Sequence, residues 1–167
     1  MKKLFLSLIT LLALGTAVQA QDYDITTGLR IGYGHHAAVT MEVSAQAFVN
    51  DINRVEVDLG LRLRNHFTKK VGDESYEEYL PIGPILTSSW QWHWFLAGGF
   101  GIYGGPTLQL SVPAWHHFSM GAGGQVGIDY QFDAPFQLAL DFRPIYNFFG
   151  PYRGFDPNVG VSIRYSF

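Results

Sequence analysis

The sequence has no cysteine, very little lysine and no long apolar stretch beyond its first residues. Without cysteine the chain forms no disulfide bonds, on which small exported domains often depend. After residue 20 the only lysines are Lys69 and Lys70, whereas water-facing surfaces usually carry lysine freely. No later stretch approaches the roughly 18 consecutive apolar residues of a membrane-spanning helix. The composition therefore excludes a helical membrane protein and is unusual for a soluble one.

The N-terminus has the pattern of a secretory signal peptide. Lys2 and Lys3 precede an apolar run over residues 4–14, and a segment of mostly small residues follows and ends at Ala20. The apolar run is shorter than the ~20 residues that cross a bilayer, which disfavours the alternative of a membrane anchor. We expect a signal peptide over 1–20, cleavage after Ala20, and one mature domain over 21–167.

Charge and composition exclude one class of partner. The formal net charge is -3, and it becomes -5 when Lys2 and Lys3 are removed. A domain that binds nucleic acid normally carries a basic face, so no nucleic-acid partner is expected. Aromatic residues make up 16% of the chain, and 19 residues are glycine. This combination also departs from the composition of an ordinary soluble domain.

Apolar and polar residues alternate in steps of two along most of the mature chain, which predicts β-strands. At the C-terminus, for example, Val161, Ile163 and Tyr165 alternate with Ser162 and Arg164. Eight segments follow this pattern, at about 23–33, 39–49, 54–64, 78–88, 92–103, 118–132, 136–143 and 158–167. The fourth segment contains Pro81 and Pro84 and is apolar on both faces, so its register stays open.

The predicted connections alternate in length. Tight turns are expected at 50–53, 89–91 and 133–135, and longer loops at 68–77, 104–117 and 147–155, with a brief connection at 34–38. Short turns at one end and long loops at the other are typical of an up-and-down outer-membrane barrel, whose short turns face the periplasm.

The direction of the apolar face decides the class of barrel. With the apolar face inward the chain is a soluble, lipocalin-like carrier, and with it outward the chain lies in lipid. The polar face is rich in glycine, and its charges nearly balance, as expected for a narrow lumen filled by ion pairs. The predicted luminal charges are Arg30, Arg54, Arg62, Arg64, Arg143 and Arg164, opposed by Glu42, Glu56, Asp58, Asp129 and Asp141.

Two further features favour lipid. Aromatic residues gather near the predicted strand ends, where their rings suit the headgroup level of a membrane. The chain also ends within a strand, at Phe167, which a closed barrel accommodates because the last strand pairs with the first. We therefore predict an all-β, eight-stranded antiparallel up-and-down transmembrane barrel.

Three segments carry a family resemblance. They are "VGVSIRYSF" at the C-terminus, "EVSAQAFVNDINRVEVDLGLR" at 42–62 and "LALDFRPIYNF" at 138–148. They resemble strands of small bacterial outer-membrane β-barrel proteins of the OmpX/OmpA-like kind. The resemblance implies that Phe167 is an assembly signal for the barrel-assembly machinery. Taken together, these signals predict a monomer in the bacterial outer membrane with a closed polar lumen. Its outer loops are expected to contact membrane lipid, lipopolysaccharide or partner proteins, in a structural or interaction role.

One enzymatic alternative stays open. In "WHHFSMGAGG", His117 and Ser119 are two residues apart, which resembles the motif of outer-membrane lipid A deacylases. The motif departs from that family at Met120, and only Gln131 and Asp133 stand where a Glu is needed. The predicted register also places Ser119 on the lumen face, away from lipid. A narrow, porin-like pore for small solutes is a further alternative.

No cofactor or metal site is predicted. The pairs His35-His36 and His116-His117 lie at one predicted end of the barrel, but their spacing does not match a dedicated metal site. The segment "PYRGFDPN" at 151–158 places Arg153 and Asp156 in an outer loop, where they are candidates for contact with lipopolysaccharide or a partner protein.

Overall fold

The computed structural model describes residues 25–34, 38–63, 65–71, 74–80, 82–112, 118–150 and 153–167, with the backbone alone in 65–71 and 74–80. These described residues form ten strands. They are β1 (Ile25–Gly34), β2 (Val39–Phe48), β3 (Asn53–Arg62), β4 (Asn65–Val71), β5 (Glu74–Leu80), β6 (Gly83–Phe95), β7 (Phe100–Ser111), β8 (Ser119–Gln131), β9 (Phe136–Phe149) and β10 (Gly154–Ser166). In the described part of the chain, no helix has the length and apolarity needed to cross a membrane.

Eight of the strands close into one antiparallel barrel. Their order around the wall is β1-β10-β9-β8-β7-β6-β3-β2, and β4 and β5 form a separate two-stranded sheet. The first and last strands pair from Thr26 with Ser166 to Gly34 with Asn158. The backbone N–H of Phe167 donates to the carbonyl of Ile25 over 3.0 Å. The C-terminal strand is therefore part of the wall, and the predicted eight-stranded fold is confirmed.

The turn predicted at residues 89–91 is wrong. These residues lie inside β6, which continues to Phe95, so the fourth and fifth predicted segments were divided at the wrong place. The β6–β7 turn lies at residues 96–99, where Leu96 N–H donates to the carbonyl of Phe100 over 2.8 Å. Gly98 and Gly99 have φ angles of 63° and 84°, which glycine adopts readily and other residues rarely do.

Two of the three long loops are shorter than the sequence predicted. Most of the loop predicted at 104–117 belongs to β7, which ends at Ser111. Strand β9 continues to Phe149 and β10 begins at Gly154, which leaves a connection of residues 150–153. The loop predicted at 68–77 contains the strands β4 and β5 instead. The hydrogen-bonded wall is thus taller than expected between β6 and β10.

The two ends of the barrel differ. The turn end carries residues 49–52, 96–99 and 132–135 together with both chain termini of the barrel. The loop end carries the connections at 35–38, 63–82, 112–118 and 150–153, and the β4–β5 hairpin lies within the longest of them. Consecutive strands alternate in direction, so this division follows from the antiparallel topology.

The apolar face points outward and the polar face points inward. In β1, Leu29 and Ile31 are 59% and 54% exposed, while Arg30 between them is 1% exposed. The same alternation continues around the wall, for example with Val159, Val161 and Ile163 exposed in β10. A continuous apolar outer surface is unfavourable in water and is suited to a lipid bilayer. The lipocalin-like arrangement, with its apolar face inward, is therefore excluded.

Tryptophans mark the turn end of β6. Trp90, Trp92 and Trp94 are successive outward residues, each between 42% and 49% exposed. The indole Nε1–H of Trp90 donates to Oδ1 of Asn53 on the neighbouring strand β3 over 3.2 Å. Exposed indole rings with a polar partner are typical of the level where hydrocarbon meets headgroups.

Candidate functional site: the ion-paired lumen

The interior of the barrel is filled by charged side chains. Alternation along each strand directs them inward, and every one of them is at most 8% exposed. The described members are Arg30, Arg54, Arg62, Arg143 and Arg164 with Glu42, Glu56, Asp58, Asp129, Asp141 and Asp156. Buried charges are tolerated when they are paired and hydrogen-bonded, so the contacts among these groups determine what the lumen can do. Arg64 lies outside the described residues.

Arg30 joins three strands. Its Nε and Nη2 donate to the two carboxylate oxygens of Asp141 in β9 over 3.0 and 2.6 Å. Its Nη1 lies 3.3 Å from both oxygens of Glu42, its cross-strand neighbour in β2, and its Nη2 also donates to Oδ1 of Asn158 over 2.7 Å. The planar guanidinium suits such two-pronged contacts with a carboxylate.

Arg143 crosses the lumen. It lies on β9, four strands away from β3 in either direction around the eight-stranded wall, so the two strands face each other. Its Nη2 nevertheless lies 3.1 Å from Oε1 of Glu56 and 2.6 Å from Oδ2 of Asp58, both on β3. Nη1 lies 3.4 Å from Oε2 of Glu42. Side chains from opposite walls therefore meet at the barrel axis.

Glu56 has the largest set of partners among these groups. Besides Arg143, it accepts hydrogen bonds from the guanidinium of Arg164 and from the amide of Gln91. The amide of Gln125 donates to Oε2 over 3.0 Å, and the hydroxyl of Ser44 donates to Oε1 over 3.2 Å. Five strands contribute these donors, so this carboxylate ties much of the wall to one point.

A second cluster lies near the turn end. Arg54 donates through Nη1 to Asp129 over 2.8 Å and through Nε to Gln91 over 2.6 Å. The Nε2 atom of His93 lies 3.0 Å from Oδ1 of Asp129. The Arg54 guanidinium lies over the ring of Tyr103, 4.6 Å from its centroid. A cation against an aromatic face is favourable, and here it adds an aromatic layer to the lumen.

The loop end of the lumen contains a pair that the sequence did not predict. Asp156, expected in an outer loop, lies in β10, is 8% exposed and pairs with the guanidinium of Arg62 in β3. The outer-loop placement of Asp156 is therefore wrong, because β10 begins at Gly154 and directs this carboxylate inward. Arg153, just before the strand, is exposed.

The structure places Ser119 at the start of β8. It is 1% exposed, and its hydroxyl donates to the backbone carbonyl of Phe149 over 2.9 Å. His117, the other member of the deacylase-like pair, lies outside the described residues, as do His35, His36 and His116. A buried hydroxyl that donates to a carbonyl of the wall is not poised to attack a lipid ester. Within the described ranges, no group of His, Asp or Glu side chains is arranged to hold a metal ion.

Three inward polar residues had no role in the sequence interpretation. The predicted turn at 89–91 includes Gln91, and the strand pattern gives His93 and Gln125 no more than a place on a polar face. Gln91 Nε2 donates to Oε1 of Gln125 over 2.9 Å, and both amides donate to Glu56. The sequence does contain a signal for two of them, because residues 91 and 93 alternate with the outward tryptophans and therefore share the inward face. The turn wrongly predicted at 89–91 interrupts this alternation and hides it.

The C-terminal residue lies at the turn end. Phe167 is 68% exposed, and its ring contacts Tyr165 edge to face with centroids 5.1 Å apart. Its role as an assembly signal stays a prediction.

Comparison with solved structures places the fold among transmembrane barrels. Neisserial surface protein A (NspA) matches with a TM-score of 0.61 at 15% identity, over 88% of this chain and 98% of that one. The N-terminal β-barrel domain of Pseudomonas aeruginosa OprF matches with a TM-score of 0.60 at 15% identity, over 89% of this chain and 100% of that one. A de novo designed transmembrane β-barrel matches with a TM-score of 0.56 at 13% identity, over 86% and 95%.

No protein-family model matches the sequence, and no curated protein matches it. The structural likeness therefore establishes the fold, an OmpX/OmpA-like eight-stranded barrel of the kind found in outer membranes.

Proposed function

We propose that this protein is an integral β-barrel protein of the bacterial outer membrane, whose sealed lumen makes it a rigid anchor for an interaction surface at its loop end. The proposal includes export with the cleaved signal peptide 1–20 and insertion with the turn end in the periplasm. The apolar outer wall and the fold it shares with outer-membrane barrels support the location.

The observation that carries the proposal is the contact between opposite walls. Arg143 of β9 reaches Glu56 and Asp58 of β3, so polar side chains occupy the barrel axis where a solute would pass. Moving these groups apart would leave buried charges without partners, which costs several kcal/mol, about 3–5 for one broken pair. A wall held in this way does not conduct, and the working surface then lies outside the lumen.

The β4–β5 hairpin supports an interaction role at the loop end. Its strands pair only with each other among the described strands, so each has a free backbone edge. The mature chain's two lysines, Lys69 and Lys70, lie on β4 opposite Tyr76 and Ser75 of β5. Lysine is suited to anionic phosphate groups, and lipopolysaccharide presents such groups at the bacterial surface.

A binding experiment tests the surface. The mature protein is reconstituted in phosphatidylcholine vesicles, and the binding of purified lipopolysaccharide is compared with that of a variant in which a short Gly-Ser turn replaces residues 64–81. We expect the wild type to bind and the replacement variant to bind at least tenfold more weakly. Asp133→Asn at the turn end is the control and should bind as the wild type does. Equal binding by all three proteins would contradict the proposed surface.

A conductance measurement tests the sealed lumen separately. In planar bilayers the wild-type protein should give no steady single-channel steps. Regular steps would instead support the pore alternative, whatever the result with lipopolysaccharide.

A further inference from the structure

The central charges of the lumen do not balance. Arg30, Arg143 and Arg164 form one connected cluster with four carboxylates, and each of the seven side chains is at most 4% exposed. Their ion pairs are Arg30 with Glu42 and Asp141, Arg143 with Glu42, Glu56, Asp58 and Asp141, and Arg164 with Glu56. If every group were ionised, this buried cluster would carry a net charge of -1.

Arg143 shows the imbalance most clearly. Its one guanidinium lies within 3.4 Å of an oxygen from each of the four carboxylates. Three of these carboxylates have a second cation or further donors: Glu42 and Asp141 contact Arg30, and Glu56 contacts Arg164. Among the residues that the structure describes, Asp58 has Arg143 alone as a direct ion-pair partner.

Asp58 is also the carboxylate with the poorest hydrogen bonding. Its Oδ2 lies 2.6 Å from Nη2 of Arg143, but the contact lacks hydrogen-bond geometry. Its Oδ1 has no hydrogen-bond partner in the described part of the chain, and the residue is 1% exposed. An ionised carboxylate that is buried and accepts no hydrogen bond is strongly disfavoured.

The surroundings of Asp58 add repulsion from every carboxylate nearby. Glu56 lies two residues away on the same strand. Glu56, Glu42 of β2 and Asp141 of β9 all contact the guanidinium of Arg143 that Asp58 contacts. Its cross-strand neighbours, Ser44 in β2 and Thr87 in β6, carry no charge. Among the described residues, the cations that act on it are Arg143, its ion-pair partner, and Arg164 of β10, whose own ion pair is with Glu56.

We propose that the lumen holds one bound proton at neutral pH and that the carboxyl group of Asp58 carries it. Protonation leaves three guanidinium groups and three carboxylates, so the buried cluster becomes electrically neutral. Arginine does not lose its proton in proteins, so the balance is reached on a carboxylate. The neutral carboxyl also gains an O–H donor, which the crowded carboxylates around it can accept.

His93 is the other group that could hold a balancing proton. It contacts Asp129, which already pairs with Arg54, so this second cluster is neutral when His93 is neutral. A proton on His93 would add positive charge to a balanced cluster and leave the central one at -1. The balance of charge within each cluster therefore favours Asp58 as the group that carries the proton.

Infrared spectroscopy of the reconstituted mature protein tests the assignment, because a protonated carboxyl group has a carbonyl band that a carboxylate lacks. We expect this band at neutral pH in the wild type. Labelling all aspartates with ¹³C at the side-chain carboxyl should shift the band, since the proton is on an aspartate. Absence of the band at neutral pH, or a band unmoved by labelled aspartate, would overturn the proposal.

Three variants identify the residue. Asp58→Asn should abolish the band. Asp156→Asn is the control, because it makes the same substitution in the separate ion pair with Arg62, and it should retain the band. Asp58→Glu keeps a carboxyl group at this position, so it remains informative even where Asp58→Asn does not fold. In aspartate-labelled Asp58→Glu protein, the band should be present but no longer shifted by the label. A shifted band in this variant, or a band that persists in Asp58→Asn, would place the proton elsewhere.

Discussion

The guanidinium of Arg30 in β1 occupies the space that a Cβ atom would need at Gly160 in the neighbouring strand β10. Arg30 is 1% exposed and is held there by Asp141, Glu42 and Asn158. The absence of a side chain at residue 160 is therefore a condition for the charge cluster, because the buried arginine would have to break its contacts with these partners to make room.

Gly160→Ala should destabilise the barrel. The added methyl group displaces Arg30 from its carboxylate partners, and overpacking of this kind typically costs about 1–3 kcal/mol. Urea unfolding of protein reconstituted in lipid vesicles measures the change. Gly124→Ala in β8 is the matched control, since the nearest atom to its added Cβ is the carbonyl oxygen of Gly105 at 3.6 Å, an ordinary contact. Equal stability of the two variants would contradict the tight fit at Arg30.

Glu56→Gln should be more damaging than its small change in shape suggests. The substitution keeps the size of the side chain but removes the charge that pairs with Arg143 and Arg164. Breaking a buried ion pair by removing one partner costs about 3–5 kcal/mol, because the remaining charge stays buried.

The same unfolding experiment measures this effect. Asp51→Asn, in the exposed β2–β3 turn, removes a carboxylate that has no luminal contact and should change the unfolding free energy by less than about 0.5 kcal/mol. A cost at Glu56 as small as that at Asp51 would show that the network contributes little to stability.

The strand alternation made most of the wall predictable from sequence. The inward positions of Arg30, Glu42, Glu56 and Asp58 follow from parity alone, because a residue and its second neighbour always share a face. Which charges pair across the lumen was not predictable. The contact from Arg143 to Glu56 joins opposite strands and depends on the barrel's closure and register, which no local pattern contains.

The misplaced turn has a physical explanation. A turn is predicted at residues 89–91, yet Trp90 and Trp92 flank the polar Gln91 in the continued alternation of one strand, with outward indoles and inward polar groups. The β6–β7 turn lies at Gly98 and Gly99, whose positive φ angles allow it. Glycine is frequent along the polar face of this chain, so the sequence alone does not distinguish Gly98 and Gly99 from the glycines within strands.

Val161→Arg should destabilise the protein in lipid by about 2–4 kcal/mol, the cost of an arginine on the lipid face near the bilayer midplane. Val161 lies in the middle of β10, is 50% exposed and is flanked by Ile31 and Leu140. Ile52→Arg is the control. Ile52 is similarly exposed, at 47%, but lies in a turn, where the cost should be about 0–1 kcal/mol.

Unfolding in lipid vesicles compares the two arginine variants. A larger cost at Ile52 than at Val161 would contradict the placement of the β10 outer face within the hydrocarbon.

The most direct test of the account as a whole is fractionation of cells that express the full chain, followed by gel electrophoresis of boiled and unboiled samples in detergent. An intact β-barrel resists unfolding in detergent until it is heated, because closure leaves no strand edge at which the wall can open. We expect the mature protein in the outer-membrane fraction, with a different mobility before and after boiling. Recovery in the soluble periplasmic fraction, with one mobility in both samples, would contradict the membrane barrel.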